Sequence, residues 1–366
     1  MKQMYDKNDI NTTSEFDFFG GDADEFQRKV NDIKSICVCG KFSEKEPLIT
    51  IVIPTYKRVR TLKLALNSAL NQQGFDSYEI LVVDNEGADI GLETETSRYI
   101  KELNHDKVIY FRHEKSVDYK MDHAVNLART RWIMFLHDDD MLAPNALKVL
   151  YNVAKESSQY SWIACTSRQF IDGDEDKVIG FDKNIWEHYR THIKSYPPQF
   201  SCTGYVPGWL GALIDRQKYI NMGGTPTRNL GCADFVMQGK YAYRYRNEIC
   251  SCQTDFPLYY YRLWEGQTSS AGVVEWFNIY INEYLFYVYC AKTYHKYVWK
   301  YWAYIGWQNI RRKIHCMNTE YYQLNIDEDK MRNLLDVPHS WSSDGIANKL
   351  KYLFFLIYYN YWSIRA

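Results

Sequence analysis

From Pro47 onward the chain alternates two kinds of apolar pattern. Residues 48–53 form a nearly continuous apolar run, which predicts a strand covered on both faces within a parallel sheet. Leu62, Ala65, Leu66, Ala69 and Leu70 then recur at i, i+3, i+4, i+7 and i+8, one stripe of a helix. The runs 78–83 and 108–111 predict a second and a third strand, 122–130 a helix and 132–136 a fourth strand. A helix starts at Pro144, a residue suited to a first turn, and a strand near 162–166 continues the series. Strand and helix in alternation predict an α/β domain, a mostly parallel sheet with helices on both faces and right-handed crossovers. Ligands of such sheets sit at the carboxyl ends of the strands.

The flanks differ from this centre. Asp22 and Glu25 make a capping-box pattern, Phe26, Val30, Ile33 and Cys37 follow at helical spacing, and Gly40 is a stop. Residues 1–46 thus read as an appendage of one helix followed by a charged linker, 41–46. Beyond 270 the pattern is helical and aromatic, with Trp276, Tyr280, Tyr284 and Tyr287 on one stretch and Val298, Trp302 and Ile305 on the next. Residues 271–366 read as a helical region. Within it, 273–310 suits a packed helical subdomain, whereas 349–366 brackets aromatic residues with Lys349, Lys351 and Arg365 and suits a membrane surface equally well.

Composition narrows the classes. Apolar residues at 46% and charged ones at 24% exclude a mainly disordered chain, and a formal charge of -1 offers no field for wrapping nucleic acid. The first 22 residues are polar rather than leader-like, and the longest apolar run, 352–359, is too short to span a bilayer. The expectation is a cytoplasmic chain, peripheral on the membrane at most. Nine scattered cysteines are an odd number and make no disulfide framework; Cys37/Cys39 and Cys250/Cys252 are spaced more tightly than a zinc knuckle and read as free thiols.

Polar residues interrupt the apolar pattern at three expected strand ends: Pro54-Thr55-Tyr56, Asp84-Asn85, and His137-Asp138-Asp139-Asp140. Three adjacent carboxylates repel one another and are costly to bury without a counter-charge. A hard divalent cation, Mn²⁺ or Mg²⁺, resolves that conflict and commonly shares its coordination with phosphate oxygens. Taken alone, an acidic triplet fits a solvated loop or a helix start equally well.

The runs Ile51-Val-Ile-Pro-Thr-Tyr-Lys-Arg58, Ala65-Leu-Asn-Ser-Ala-Leu-Asn-Gln72 and Tyr78-Glu-Ile-Leu-Val-Val-Asp-Asn85 resemble the opening of a family 2 glycosyltransferase. Residues 132–142 are similar to that family's Asp-x-Asp segment, Asn229-Leu-Gly-Cys-Ala-Asp-Phe235 to its catalytic segment, and 261–269 to its closing loop. The resemblance covers roughly residues 47–270. It implies a GT-A fold, with 47–143 as the nucleotide-binding half and 144–270 as the acceptor half. It also implies inverting transfer of a sugar from a nucleoside-diphosphate donor, preferably a UDP-sugar, to a hydroxyl of a glycan or lipid-linked saccharide.

By the same resemblance Pro54, Thr55, Tyr56, Arg58, Asp84, Asn85, Asp138 and Arg262 bind the sugar nucleotide, and Asp139 and Asp140 hold the metal. Asp234 is the general base, and Ala233 replaces the acid that often precedes it. His137 stands where the family's first Asp lies, and Trp264 where relatives often carry a metal-touching His. Trp209 offers a face to an acceptor sugar, and the glycines of 208–211 and 223–224 offer backbone approach to it. Arg112, His113 and Lys115 read as a solvated basic rim. The division of labour is physically coherent, because a departing diphosphate needs charge stabilisation whereas an attacking hydroxyl needs a carboxylate to take its proton. The substitutions at 137 and 233 keep open a second class, a non-catalytic sugar-nucleotide or glycan-binding subunit on the same fold.

Overall fold

The computed structural model describes residues 20–87, 91–117, 120–178, 193–196, 208–225, 233–245, 248, 251–265, 273–294, 297–318, 326–335 and 337–338. The chain divides into two compact units, one of residues 19–227 with 237–267, the other of 1–18, 228–236 and 268–366.

The first unit is built on one sheet. Strand β2 (Ile49–Thr55) is buried along its whole length, as its continuous apolar run requires, and lies between β3 (Tyr78–Asp84) and β5 (Trp132–Phe135), with β4 (Val108–His113) beyond β3. These four are mutually parallel. Their side chains alternate between two cores. Ile49, Ile51 and Ile53 pack with Leu62, Ala65, Leu66 and Ala69 of α2 (Val59–Leu70) on one face, and Val52, Leu81 and Val83 pack on the other. The expected parallel sheet and its first helix are therefore present.

Beyond β5 the sheet turns mixed. It continues through β9 (Leu213–Asp215), β7 (Trp162–Ile171), the long β10 (Ser251–Leu263) and the two-residue β6 (Met141–Leu142), and β8 (Ile193–Tyr196) also pairs with β10. β10 runs parallel to β7 and antiparallel to β6, so residues 259–263 return over the segment that follows β5.

The N-terminal helix differs from its expected extent. Asp22 caps it through Glu25, but α1 (Ala23–Asn31) stops at Asn31, and Ser35–Cys39 is a strand, β1, antiparallel to the edge strand β4. Ile36 and Val38, both β-branched, fit a pleated edge better than a last helical turn, and covering β4 decides the conformation. Nor does α1 stand apart from the sheet. Phe26 is fully buried beside Tyr219 of α6 (Arg216–Asn221), in the same core as Ala124 and Val125 of α4 (Lys120–Leu127).

Beside that core lies a buried ion pair. Lys29 Nζ is 2.6 Å from Asp122 Oδ2 and donates to the carbonyls of Gly223 and Thr225 at 2.6 Å each. Asp122 also accepts from Tyr219 Oη at 2.7 Å and from the amide and hydroxyl of Thr225. Gly224, at φ +66°, leaves 2.5 Å between an added Cβ and the Asp122 carboxylate. The glycine that looked suited to a sugar is needed there by the ion pair.

In the second unit α8 (Val273–Tyr294) and α9 (Tyr297–Met317) pack on each other through their aromatic residues, Tyr287 stacked on Trp302 at 5.8 Å and Tyr284 edge-on to Trp307. The Tyr284 hydroxyl reaches the carbonyl of Leu335, just after α10 (Glu328–Leu334). Among the described residues no helix is long and apolar enough to cross a membrane. Residues 349–366 lie outside the described residues.

Replacing Lys29 with Met strands the fully buried Asp122 charge. A loss of about 3–5 kcal/mol is expected, read as a lower urea midpoint, because removing one partner of a buried pair leaves the other uncompensated. A midpoint within experimental error of wild type would mean that α1 is not part of this core.

Candidate functional site

Parallel register brings the expected strand ends to one edge. Thr55 pairs with Asp84, Asp84 with Arg112, and Val52 with Phe135, so the residues after β2, β3 and β5 emerge side by side. Pairing between β2 and β5 stops at Val52, so Pro54 breaks no ladder bond with β5. Lys57 then turns the chain with φ +53°, and α2 begins after Arg58 with no side-chain cap.

The turn 137–140 is the centre of the site. Its three carboxylates are 0–6% exposed and each is held differently. Asp138 accepts from Thr55 Oγ1 at 2.8 Å, from the Tyr56 amide at 3.4 Å and from Arg58 Nη1 at 3.3 Å. Asp139 Oδ2 accepts from Arg58 Nη1 and from Trp264 Nε1, both at 3.1 Å. Asp140 accepts from Tyr259 Oη at 2.6 Å and from the Arg262 amide at 2.8 Å, and His137 Nδ1 lies 3.5 Å from its Oδ2. The antiparallel pairing of Tyr259 with Leu142 carries these β10 donors to the turn.

Ligand atoms of His137, Asp139 and Asp140 all fall within 4.8 Å of one another, the one such cluster among the described residues. It contains the two acids expected to hold a metal and adds His137. Two carboxylates and an imidazole form a donor set that suits Mn²⁺ or Mg²⁺, the imidazole favouring Mn²⁺. Burial raises the Asp138 carboxyl above its ordinary value, against the pull of Arg58 and Thr55. Burial works to lower His137, but its bond to Asp140 and the surrounding acids outweigh that and raise it. Tyr259, buried against Asp140, is pushed far up and stays a donor.

The other expected site residues differ widely in burial. Asp84 is fully buried, accepts from Tyr110 Oη at 2.6 Å and from the Glu86 amide, and has its carboxyl raised by burial. The Asn85 amide bonds Ser116 and Val117 and ties the β3 corner to the loop after β4. Tyr56, 47% exposed, presents its ring to solvent at the site edge.

Arg262 is fully buried. Its Nε holds the Asp139 carbonyl at 2.6 Å and its Nη1 meets Asp172 at 2.6 Å and also Glu175, so its charge is directed at those acids. Trp209, 5% exposed, sits edge-on to Phe135 and to His137, a wall behind the imidazole. Asp234 is exposed in the first turn of α7 (Ala233–Arg244), within the stretch 228–236 that belongs to the second unit.

Sequence reasoning missed several residues of the site. Tyr259 lies in an aromatic run with nothing to mark it, and Trp264 serves as a hydrogen-bond donor where only ligation was considered. Arg60 pairs with Asp172 at 2.8 Å and lies 5.2 Å from the Trp264 ring. The basic rim is also corrected. Arg112 and His113 are 1% and 0% exposed, because β1 covers β4. Arg112 holds the carbonyls of Glu86 and Leu92, bracketing the loop after β3. Of the cysteine pairs, Cys37, Cys39 and Cys252 are free thiols, and Cys250 lies outside the described residues.

This sheet, with an acid-rich turn at its carboxyl edge, is a GT-A fold. The chain aligns with the crystal structure of Staphylococcus aureus TarS residues 1–349 in complex with UDP-GlcNAc at a TM-score of 0.52, over 80% of each chain and at 13% identity. Residues 50–214 form a glycosyl transferase family 2 domain by the match of that family's model. The uncharacterized Mycobacterium tuberculosis protein MT1568 is 31% identical over 193 residues, half of this chain and 58% of that protein. The Staphylococcus aureus poly(ribitol-phosphate) beta-N-acetylglucosaminyltransferase TarP is 26% identical over 115 residues, 30% of this chain and 34% of TarP. The chain thus spans less than two thirds of either relative.

His113 supplies a pH dependence that can be isolated. Burial, then the neighbouring His123 ring at 4.9 Å, lowers it from 6.5 to about 4, and Ser35 Oγ lies 2.9 Å from its Nδ1. The unfolded chain takes up this proton first, so the contribution is complete above pH 6.5 and is lost as pH falls toward 4, with a slope of at most about 1.4 kcal/mol per pH unit. Urea midpoints of wild type and His113→Gln at pH 7 and pH 5 should diverge by that slope; parallel profiles would refute the assignment.

Proposed function

We propose that the chain is an inverting glycosyltransferase that moves a sugar from a nucleoside-diphosphate sugar, preferably a UDP-sugar, to a hydroxyl of a glycan or lipid-linked saccharide. The observation that carries this reading is the convergence of His137, Asp139 and Asp140 at the carboxyl edge of a GT-A sheet, beside Arg58 and the uncapped start of α2. The family 2 domain and the UDP-GlcNAc bound in the TarS structure support the donor class, and the name of TarP supports a polymeric glycan acceptor.

His137, Asp139 and Asp140 would hold Mn²⁺ or Mg²⁺, which when bound supplies positive charge for the departing diphosphate. The chain's own residues do the rest. Pro54, Thr55, Tyr56 and the Asp84-Asn85 corner shape the nucleoside end, and Asp138 is kept in place by Thr55. Tyr259 and Arg262 fix the Asp140 carboxylate, so its rotamer is set before any ligand arrives. Asp234 takes the proton of the attacking hydroxyl, and direct displacement at the sugar carbon inverts it. Trp209 acts through His137 in this reading, as the wall behind its ring. Membrane contact, if the acceptor is lipid-linked, falls to residues outside the sheet.

Thermal shift against UDP, GDP and dTDP, with and without Mn²⁺, tests the donor class. One nucleotide should stabilise the chain only with metal present, by mass action. No shift with any of them would overturn the reading. Asp139→Asn should nearly abolish both transfer and the metal-dependent shift. Asp234→Asn should keep the shift and cut turnover by about a hundredfold or more, the usual worth of a general base. A lost shift in that variant would make Asp234 a binding or structural residue.

A further inference from the structure

The acids of the 137–140 turn have unlike partners, and the contrast singles out Arg58. Asp140 is held by the Tyr259 hydroxyl and the Arg262 amide, with His137 Nδ1 3.5 Å away, and meets no arginine side chain in these contacts, while the Arg262 guanidinium is committed to Asp172 and Glu175. Asp138 and Asp139 instead share Nη1 of Arg58, at 3.3 and 3.1 Å. The Arg58 side chain is 26% exposed against 7% and 8% for the two acids, so the cation lies at the mouth and the anions behind it. Its guanidinium is 5.7 Å from the Trp264 ring, whose Nε1 donates to the same Asp139 oxygen.

Resting on the donor-site reading above, we propose that Arg58 is an exchangeable counter-ion. It neutralises Asp138 and Asp139 in the cation-free protein and passes to the donor's diphosphate when a divalent cation takes its place at Asp139. A guanidinium and a divalent cation beside one carboxylate oxygen repel each other, so the cation binding alone must work against Arg58. A diphosphate lying by the start of α2 removes that penalty. It offers the guanidinium two oxygens in the fork geometry it favours, next to a helix N-terminus that no side chain caps. Trp264 is neutral, so it keeps Asp139 oriented throughout the exchange without competing for the charge. Cation and nucleoside diphosphate therefore assist each other through Arg58 as well as through direct contact, and the coupling is reciprocal.

The test is calorimetric titration of Mn²⁺ into the full chain, alone and with saturating UDP, for wild type, Arg58→Gln and Arg60→Gln. Arg60 lies over the same Trp264 ring but pairs with Asp172, so its loss controls for stacking and for net charge. UDP should tighten Mn²⁺ binding to wild type by about tenfold or more. Arg58→Gln should bind Mn²⁺ alone more tightly than wild type but no more tightly than wild type when UDP is present, and so show a smaller enhancement; Arg60→Gln should keep the wild-type enhancement. If Arg58→Gln, with an unchanged melting temperature, tightens Mn²⁺ equally with and without UDP, Arg58 is a fixed counter-ion and the exchange is refuted. No tightening at all refutes it as well. A wild-type chain that takes up neither Mn²⁺ nor UDP would instead bring down the donor-site reading, and this inference with it.

Discussion

Three consecutive buried aspartates just after strand β5 set the constraint on which the site depends, because each carboxylate withdrawn from water must be met by a donor or a charge. The sheet is arranged to supply them from three directions. The turn after β2 brings Thr55 and Arg58, β10 brings Tyr259 and the Arg262 amide, and the end of β10 brings Trp264. Only the antiparallel return of β10 along β6 makes the second and third possible. Parallel pairing of β10 with β7 sets Leu263 opposite Ile171, which puts Asp172 beside the Arg262 guanidinium and turns its charge away from the acids. Among the described residues, the arginine left in contact with the Asp138 and Asp139 carboxylates is Arg58, at the solvent-facing edge of the site, and the chemistry proposed for it follows from that placement.

A second buried charge ties the N-terminal helix to the sheet. Lys29 reaches from α1 to Asp122 of α4 and to the carbonyls on either side of Gly224, which joins segments nearly two hundred residues apart in sequence. A helix that would be marginal alone is stabilised because its one buried cation completes a network already anchored by Tyr219 and Thr225. The same network explains why Gly224 has no side chain, independently of any ligand.

Much of the parallel half was legible in the chain. Continuous apolar runs gave β2, β3, β4 and β5, the stripe from Leu62 to Ala69 gave α2, and polar residues at their ends marked the edge where the acids meet. What was not legible lay in long-range pairing. The stretch 35–39 carries spacing compatible with a helix and becomes a strand only because β4 has an edge to cover. Arg112 and His113 look like a basic rim until that same strand buries them. Tyr259 is one tyrosine among thirty-two in the chain, and nothing local distinguishes the one that donates to Asp140.

The sequence by itself determined the class of fold and the acids of the turn, since strand periodicity, strand-end motifs and a run of like charges are local properties. Tertiary structure alone decided which donor each acid receives, which arginine faces the site and which is spent as a brace. Arg58 and Arg262 are chemically identical in the chain; one became a partly exposed counter-ion and the other a buried brace because the register of β10 set Asp172 and Glu175 within reach of the second. Charge compensation in a low-dielectric interior depends on distances of a few ångströms between distant segments, and those distances exist only once the sheet has closed.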